Sequence, residues 1–270
     1  MKKWGILFVA LMMVSVLAAC GNNKTNNAAE ESQGTGGTTA AKKLIVGMSA
    51  DFPPYEFHIK NEKGEDEIVG FDVEIAKEIA KDLNAELEIK DMKFESLLNE
   101  MESGRVDLVI SGLSPKPERL KQIDMSKIYY KAEQSIVSRT ADKDKYATME
   151  SLEGLKIGVQ KSSIQEDIGK EIPNAKLTSL SKISDIVLQL TSGRVDVAVL
   201  EGPVAESFVK QVDGITITDA KPANEDEGYV VGVKKGNKEM LDQVNATLDR
   251  LMSDGSIDKF VTEATKLAEK

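Results

Sequence analysis

The chain has 270 residues, of which 41% are hydrophobic and 30% charged, and a formal net charge of −10. That acidity argues against nucleic acid as a partner. One cysteine and one histidine exclude an internal disulfide and any zinc site built from Cys and His clusters, so no metal or cofactor is expected.

Residues 1–19 read as a signal peptide: Lys2-Lys3, then an apolar run from Gly5 to Ala19 that is short for a membrane span of ~20 apolar residues. Leu17-Ala18-Ala19-Cys20 resembles the lipobox of bacterial lipoproteins, which implies cleavage before Cys20 and lipid on its sulfur. Residues 20–41 then form a lipidated start and a tether of Asn, Thr, Gly, Ser and Ala without apolar periodicity, expected to be disordered. A flexible chain of about 20 residues has a typical end-to-end distance of about 25 Å.

Lys43 to Met48 reads as a buried strand. The loop after it, Ser49 to Phe57, carries three aromatics and the pair Pro53-Pro54, which forbids a helix. Such a loop either binds or covers the core edge. Gly70-Phe71-Asp72 opens an amphipathic helix with Val73, Ala76, Ile79, Ala80 and Leu83 on one face. Glu86 to Lys90 is a second strand, and Phe94 leads into a further helix.

Val106 to Leu120 is the chemically loaded stretch. Val106 to Ile110 reads as a strand, Ser111-Gly112-Leu113-Ser114 as a turn, and Glu118 to Lys121 as the start of a helix after Pro115 and Pro117. Hydroxyls, helix-start N–H groups and the guanidinium of Arg119 together suit a carboxylate. Alone this is also an ordinary strand, turn and helix. The unit recurs, however: Ser103-Gly104-Arg105-Val106-Asp107 reappears as Ser192-Gly193-Arg194-Val195-Asp196. Each copy follows an amphipathic helix and runs into a strand that ends at a glycine turn, which argues for two similar α/β lobes. Ligands bind beyond the carboxyl ends of such strands. Arg119 from one lobe and Glu201 from the other suggest a ligand carrying both charges.

The second lobe is expected to open with Leu155 to Val159. Ser162 or Ser163 caps a helix beginning near Ile164, and Pro203 starts another through Val209. Tyr229 to Val233 is the last strand. Two helices, Met240 to Leu251 and Ile257 to Leu267, close the chain with Gly255 between them.

From Lys43 to the C-terminus this order resembles the solute-binding proteins of ABC importers for polar amino acids, in particular those for glutamine, arginine, lysine and histidine. The carrying features are aromatic-Pro-Pro-aromatic-Glu, Gly-Phe-Asp, the SGRVD strand, Ser-Gly-Leu-Ser and Pro-Glu-Arg. The resemblance implies an α/β, two-lobed periplasmic-binding-protein type II-like fold with two crossover hinge strands. It assigns residues 43–132 and 227–270 to lobe 1 and 133–226 to lobe 2. It makes Phe52 and Phe94 facing aromatic walls and Arg119 the grip on the α-carboxylate. Gly112 (through its carbonyl) and Ser114 contact the α-amino group, which Glu201 completes. Ser163 and Ile164 stand in the loop that adds carboxylate donors, where Ile164 offers only its N–H.

The expected function is capture of a polar L-amino acid between the lobes and delivery to the permease subunits of an ABC importer. The protein is expected to be a monomer, lipid-anchored outside the cell membrane. Arginine is placed slightly ahead of glutamine because Asp51 and Glu56 flank Phe52, although Ser49 stands where many relatives carry Asp. Lysine and histidine come next. No catalytic residue is expected: His58 sits in a polar hairpin, and no nucleophile has a visible base partner. The alternative is a small-carboxylate lyase or dehydratase on the same fold.

Overall fold

The structure is a computed structural model and describes residues 42–223 and 228–269. The signal segment, Cys20 and the tether lie outside these residues, as does most of the stretch 224–228 expected to hold the return crossover.

Strand β1 (Lys42–Met48) is followed by the small antiparallel set β2 (Asp51–Phe52), β3 (Glu56–Lys60) and β4 (Asp66–Val69). Helix α1 (Phe71–Asp82) buries Phe71, Val73, Ile75, Ala76, Ile79 and Ala80. Then come β5 (Ala85–Asp91), α2 (Leu97–Glu102), β6 (Leu108–Val109) and β7 (Ile123–Met125). A second group holds β8 (Gln134–Arg139), β9 (Lys156–Gln160), α3 (Ile164–Glu171), β10 (Lys176–Leu180), α4 (Ile183–Thr191), β11 (Val197–Glu201), α5 (Gly202–Gln211) and β12 (Ile215–Ile217). The chain returns in β13 (Gly232–Lys234), α6 (Lys238–Ser253) and α7 (Ser256–Ala268).

These elements build two five-stranded sheets, ordered β5-β1-β6-β13-β7 and β10-β9-β11-β8-β12. In each, the middle of three neighbouring strands is parallel to both others: β1 to β5 and β6, and β9 to β10 and β11. β13 and β8 each run antiparallel to both of their neighbours, leaving β7 and β12 at the edges. Parallel strands need both faces covered. α1, α6 and α7 pack together on one face of the first sheet, and Leu97, Met101, Val106 and Val109 form a core on its other side. In the second sheet Ile157, Val159, Ile168 and Val197 do the same beneath α3, while α4 buries Ile183, Ile186, Val187 and Leu190 at helical spacing.

The sequence repeat has a structural meaning. Asp107 donates its N–H to Ile45 O at 2.7 Å and accepts Ile45 N–H on Oδ2 at 2.8 Å. Asp196 repeats both bonds with Lys156, at 2.7 and 2.9 Å. Each aspartate clamps the backbone of the middle strand of its sheet's three parallel strands, and the adjacent Val106 and Val195 are buried.

The two sheets are joined where Tyr130 and Tyr229 form an antiparallel bridge: Tyr229 N–H donates to Tyr130 O at 2.8 Å and Tyr129 N–H to Tyr229 O at 2.9 Å. Gly228 makes this approach possible, because a Cβ there would stand 2.6 Å from the Tyr130 oxygen.

Several expectations change. The strand read from Val106 to Ile110 pairs only over Leu108–Val109, since Asp107 turns to clamp β1. The helix expected at Glu118 is a three-residue 3-10 turn, Arg119–Lys121, cut short as the chain enters β7. The closing strand pairs over Gly232–Lys234, with Tyr229 as an isolated bridge.

Candidate functional site

A pocket lies between the carboxyl ends of the two sheets, lined by Phe52, Phe94, Gly112, Ser114, Arg119, Ser163 and Ile164 together with Ser49, Ser111, Gln160 and Gln165. It therefore gathers every candidate read from the sequence except Glu201. The lining is amide, hydroxyl and aromatic, with Arg119 its one charged member.

Arg119 is 6% exposed. Nη1 donates to Ser114 O at 2.8 Å in its own lobe, and Nη2 donates to Ser162 O at 2.8 Å in the other. Its guanidinium carbon sits 5.5 Å from the centre of the Phe94 ring, a cation–π distance. Burial pulls its pKa down to about 10, so it is cationic at pH 7. A buried guanidinium that meets carbonyl oxygens and an aromatic face keeps its charge available to an anion.

Gly112 has φ 51°, and a Cβ at this position would stand 2.8 Å from Phe52 Cε1. Glycine lets the Phe52 ring lie against the turn, so wall and floor share one contact. On the second lobe Ser163 caps α3: its hydroxyl accepts Glu166 N–H at 3.2 Å and donates to Gln160 O at 2.7 Å. The N-terminus of α3 thus borders the pocket beside Arg119, where both favour an anion. Gln165 leads away from the pocket: its Nε2 donates to Gln134 Oε1 at 2.7 Å, and Gln134 Nε2 to Tyr229 Oη at 3.2 Å.

Glu201 stands apart from this lining. It is fully buried; its Oε1 accepts the Tyr55 hydroxyl at 2.7 Å, and its Oε2 accepts Val204 N–H at 3.0 Å as the N-cap of α5. One methylene longer than Asp, it reaches Tyr55 and its own helix start instead of the pocket lining. The acids flanking Phe52 also change role. Asp51 accepts Ile183 N–H at the start of α4 and the Ser49 hydroxyl, and Glu56 lies fully buried under Ser111. Neither lines the pocket, so the charge argument that favoured a cationic ligand tip loses its basis.

Lys116 was missing from the sequence reading. Its Nζ donates to Ser163 O at 2.9 Å and pairs with Asp167, both across the cleft. Burial lowers its pKa although Asp167 opposes the shift. Further bridges between the lobes run from Ser181 Oγ to Glu95 at 2.7 Å and from Ile183 N–H to Asp51. The only sequence signal for Lys116 is its place between two prolines. No helix among the described residues is long and apolar enough to cross a membrane.

Two α/β lobes bridged at Tyr130 and Tyr229, with a polar pocket at their sheet ends, define a two-lobed ligand-binding protein. Residues 44–264 match the bacterial extracellular solute-binding proteins, family 3, and the chain belongs to that family. It is 40% identical over 267 residues, 96% of each chain, to the arginine-binding extracellular protein ArtP of Bacillus subtilis. It is 30% identical to the ABC transporter arginine-binding protein 1 of Escherichia coli, over 82% of this chain and 90% of the relative. The crystal structure of the amino-acid ABC transporter substrate-binding protein AbpA of Streptococcus pneumoniae, bound to L-arginine, superposes with a TM-score of 0.82 at 38% identity, covering 84% of this chain and 96% of that one.

Proposed function

We propose that this protein captures an L-amino acid, arginine first and glutamine second, between its lobes and delivers it to the permease of an ABC importer. The single observation that carries this reading is Arg119, a buried cation reached by both lobes inside a pocket of hydroxyls, amides and aromatic rings. Arg119 and the start of α3, with Ser163 and Ile164, receive the α-carboxylate. Gly112 O and Ser114 meet the α-ammonium. Phe52 and Phe94 hold the side chain, whose planar guanidinium stacks well on aromatic faces. Arginine stands ahead because the 40% identical relative is named arginine-binding and the 38% identical one is bound to L-arginine in its crystal structure.

In this reading residues 43–132 and 227–270 move as one lobe and 133–226 as the other. The protein works as a monomer, held outside the cell membrane by lipid on Cys20, with the tether giving it reach to the permease. Mass spectrometry of small molecules released from the purified protein tests the reading. L-arginine or L-glutamine is the expected species, and a ligand without an amino-acid zwitterion would overturn it.

A further inference from the structure

A zwitterion needs negative charge opposite its ammonium, and no carboxylate lines the pocket among the described residues. Two lie directly behind the wall. Glu56 in β3 and Asp72 in the first turn of α1 are both 0% exposed. The Ser111 hydroxyl donates to Glu56 Oε1 and accepts Ser49 N–H at 3.1 Å. Gly112 N–H donates to Asp72 Oδ2 at 3.0 Å, and the Tyr129 hydroxyl donates to the same oxygen at 2.9 Å. Ser49, Ser111 and Gly112 all line the pocket. Each carboxyl is therefore one hydrogen bond from the surface a ligand touches.

The other two oxygens, Glu56 Oε2 and Asp72 Oδ1, have no hydrogen-bond partner among the described residues, although the two carboxyls act on each other. Buried carboxylates side by side cannot both be ionised. A single proton held between them satisfies both orphan oxygens and leaves one negative charge. The charged groups acting on Glu56 are Asp72 and Asp51, both acids. Glu201, the acid first read for this role, is taken up by Tyr55 and Val204.

We infer that Glu56 and Asp72 share one proton and form the buried countercharge for the ligand's α-ammonium, acting on the pocket through Ser111 and Gly112. This deepens the proposed function and rests on its placement of the ammonium against Gly112 and Ser114. Burial raises Asp72 to about 7, while burial and the charge of Asp72 raise Glu56 well above the usual carboxylate range. A bound ammonium favours the ionised pair, so affinity rises with pH through neutrality and binding below that point releases a proton.

Calorimetry from pH 5.5 to 8, in two buffers of different ionisation heat, tests this with L-arginine and with 5-guanidinopentanoate, which lacks the α-amino group. Asp72→Asn keeps the oxygen that accepts from Gly112 and Tyr129 but removes the charge. It is expected to weaken L-arginine about tenfold or more, the equivalent of one pKa unit, to flatten the pH dependence, and to leave the desamino analogue far less affected. Glu56→Gln is expected to move the pH midpoint upward, because the hydrogen bond from Glu56 holds the Asp72 carboxyl down, and it supplies the second variant if Asp72→Asn folds poorly. Equal losses for both ligands, or an unchanged pH profile in both variants, would overturn the inference. Wild-type protein that binds neither L-arginine nor L-glutamine would contradict the reading of the pocket instead. The shared proton is then decided by carboxyl carbon-13 NMR of the ligand-free protein: one of the two carboxyls is expected to stay protonated at pH 8, after Asp72 has titrated near 7, and titration of both below pH 5 would contradict it.

Discussion

The Nη2 of Arg119, in the first lobe, donates at 2.8 Å to the carbonyl oxygen of Ser162 in the second. One guanidinium therefore belongs both to the pocket and to the contact between the lobes. Arg119→Lys keeps the charge but loses the planar fork that serves Ser114, Ser162 and a carboxylate together. Both Arg119→Lys and Arg119→Ala are expected to weaken amino-acid binding, the alanine by about 2–5 kcal/mol. Calorimetry alongside a thermal melt checks this. Wild-type affinity in a folded Arg119→Ala protein would remove Arg119 from the site.

The pair Lys116–Asp167 spans the cleft lip and is half wet, with Asp167 42% exposed. Exposed pairs contribute roughly 0–1 kcal/mol, enough to bias a balance between open and closed lobes but not to fix it. Lys116→Met is expected to increase the radius of gyration of ligand-free protein in solution scattering, with ligand restoring compactness because its contacts come from both lobes. A scattering curve that ignores both the substitution and saturating ligand would contradict lobe closure.

Asp51 carries a pH dependence of its own. Burial raises its pKa to about 6, against the Ile183 N–H, the Ser49 hydroxyl and Lys182, with Asp91 adding to the rise. A carboxyl whose pKa is raised by folding favours the folded state below its unfolded pKa. That contribution is lost as pH climbs through about 6. Asp51→Asn can still accept from Ile183 but buries no charge. It is expected to stabilise the protein at pH 7.5 by up to about 3 kcal/mol, from a shift of about two pKa units, and to have little effect near pH 4. Melting temperatures across that range measure it, and a loss of stability at pH 7.5 would show that the ionised clasp outweighs its burial.

Much of this architecture can be read from the sequence, and the exceptions share a cause. The repeat around Asp107 and Asp196 announced two lobes because its clamp is local to one sheet each. Phe52, Gly112, Ser114 and Arg119 fall in two loops that follow neighbouring strands, so strand order alone brings them together. The contacts of Lys116, Asp51 and Glu201 were not legible because their partners, Asp167, Ile183 and Tyr55, lie on the opposite lobe. No spacing along the chain encodes that distance. The short strands β7, β10 and β12 were also not anticipated; they are polar or only partly buried, so their hydrophobic pattern is weak.

If lipid on Cys20 is the anchor, as proposed, Cys20→Ser is expected to move the mature protein from the membrane fraction into the soluble extracytoplasmic fraction. Fractionation followed by immunoblotting measures it. Retention of the mutant on the membrane would refute lipid anchoring.

The most direct measurement is calorimetry of the purified protein against a panel of L-amino acids. L-arginine is expected to bind tightest, then glutamine, with lysine and histidine weaker. Leucine is expected to bind poorly because it leaves polar groups of the pocket unpaired, and glutamate because its side-chain carboxylate would be buried against the aromatic walls without a cation of its own. Tightest binding of leucine or glutamate, or no binding of any α-amino acid, would contradict the account.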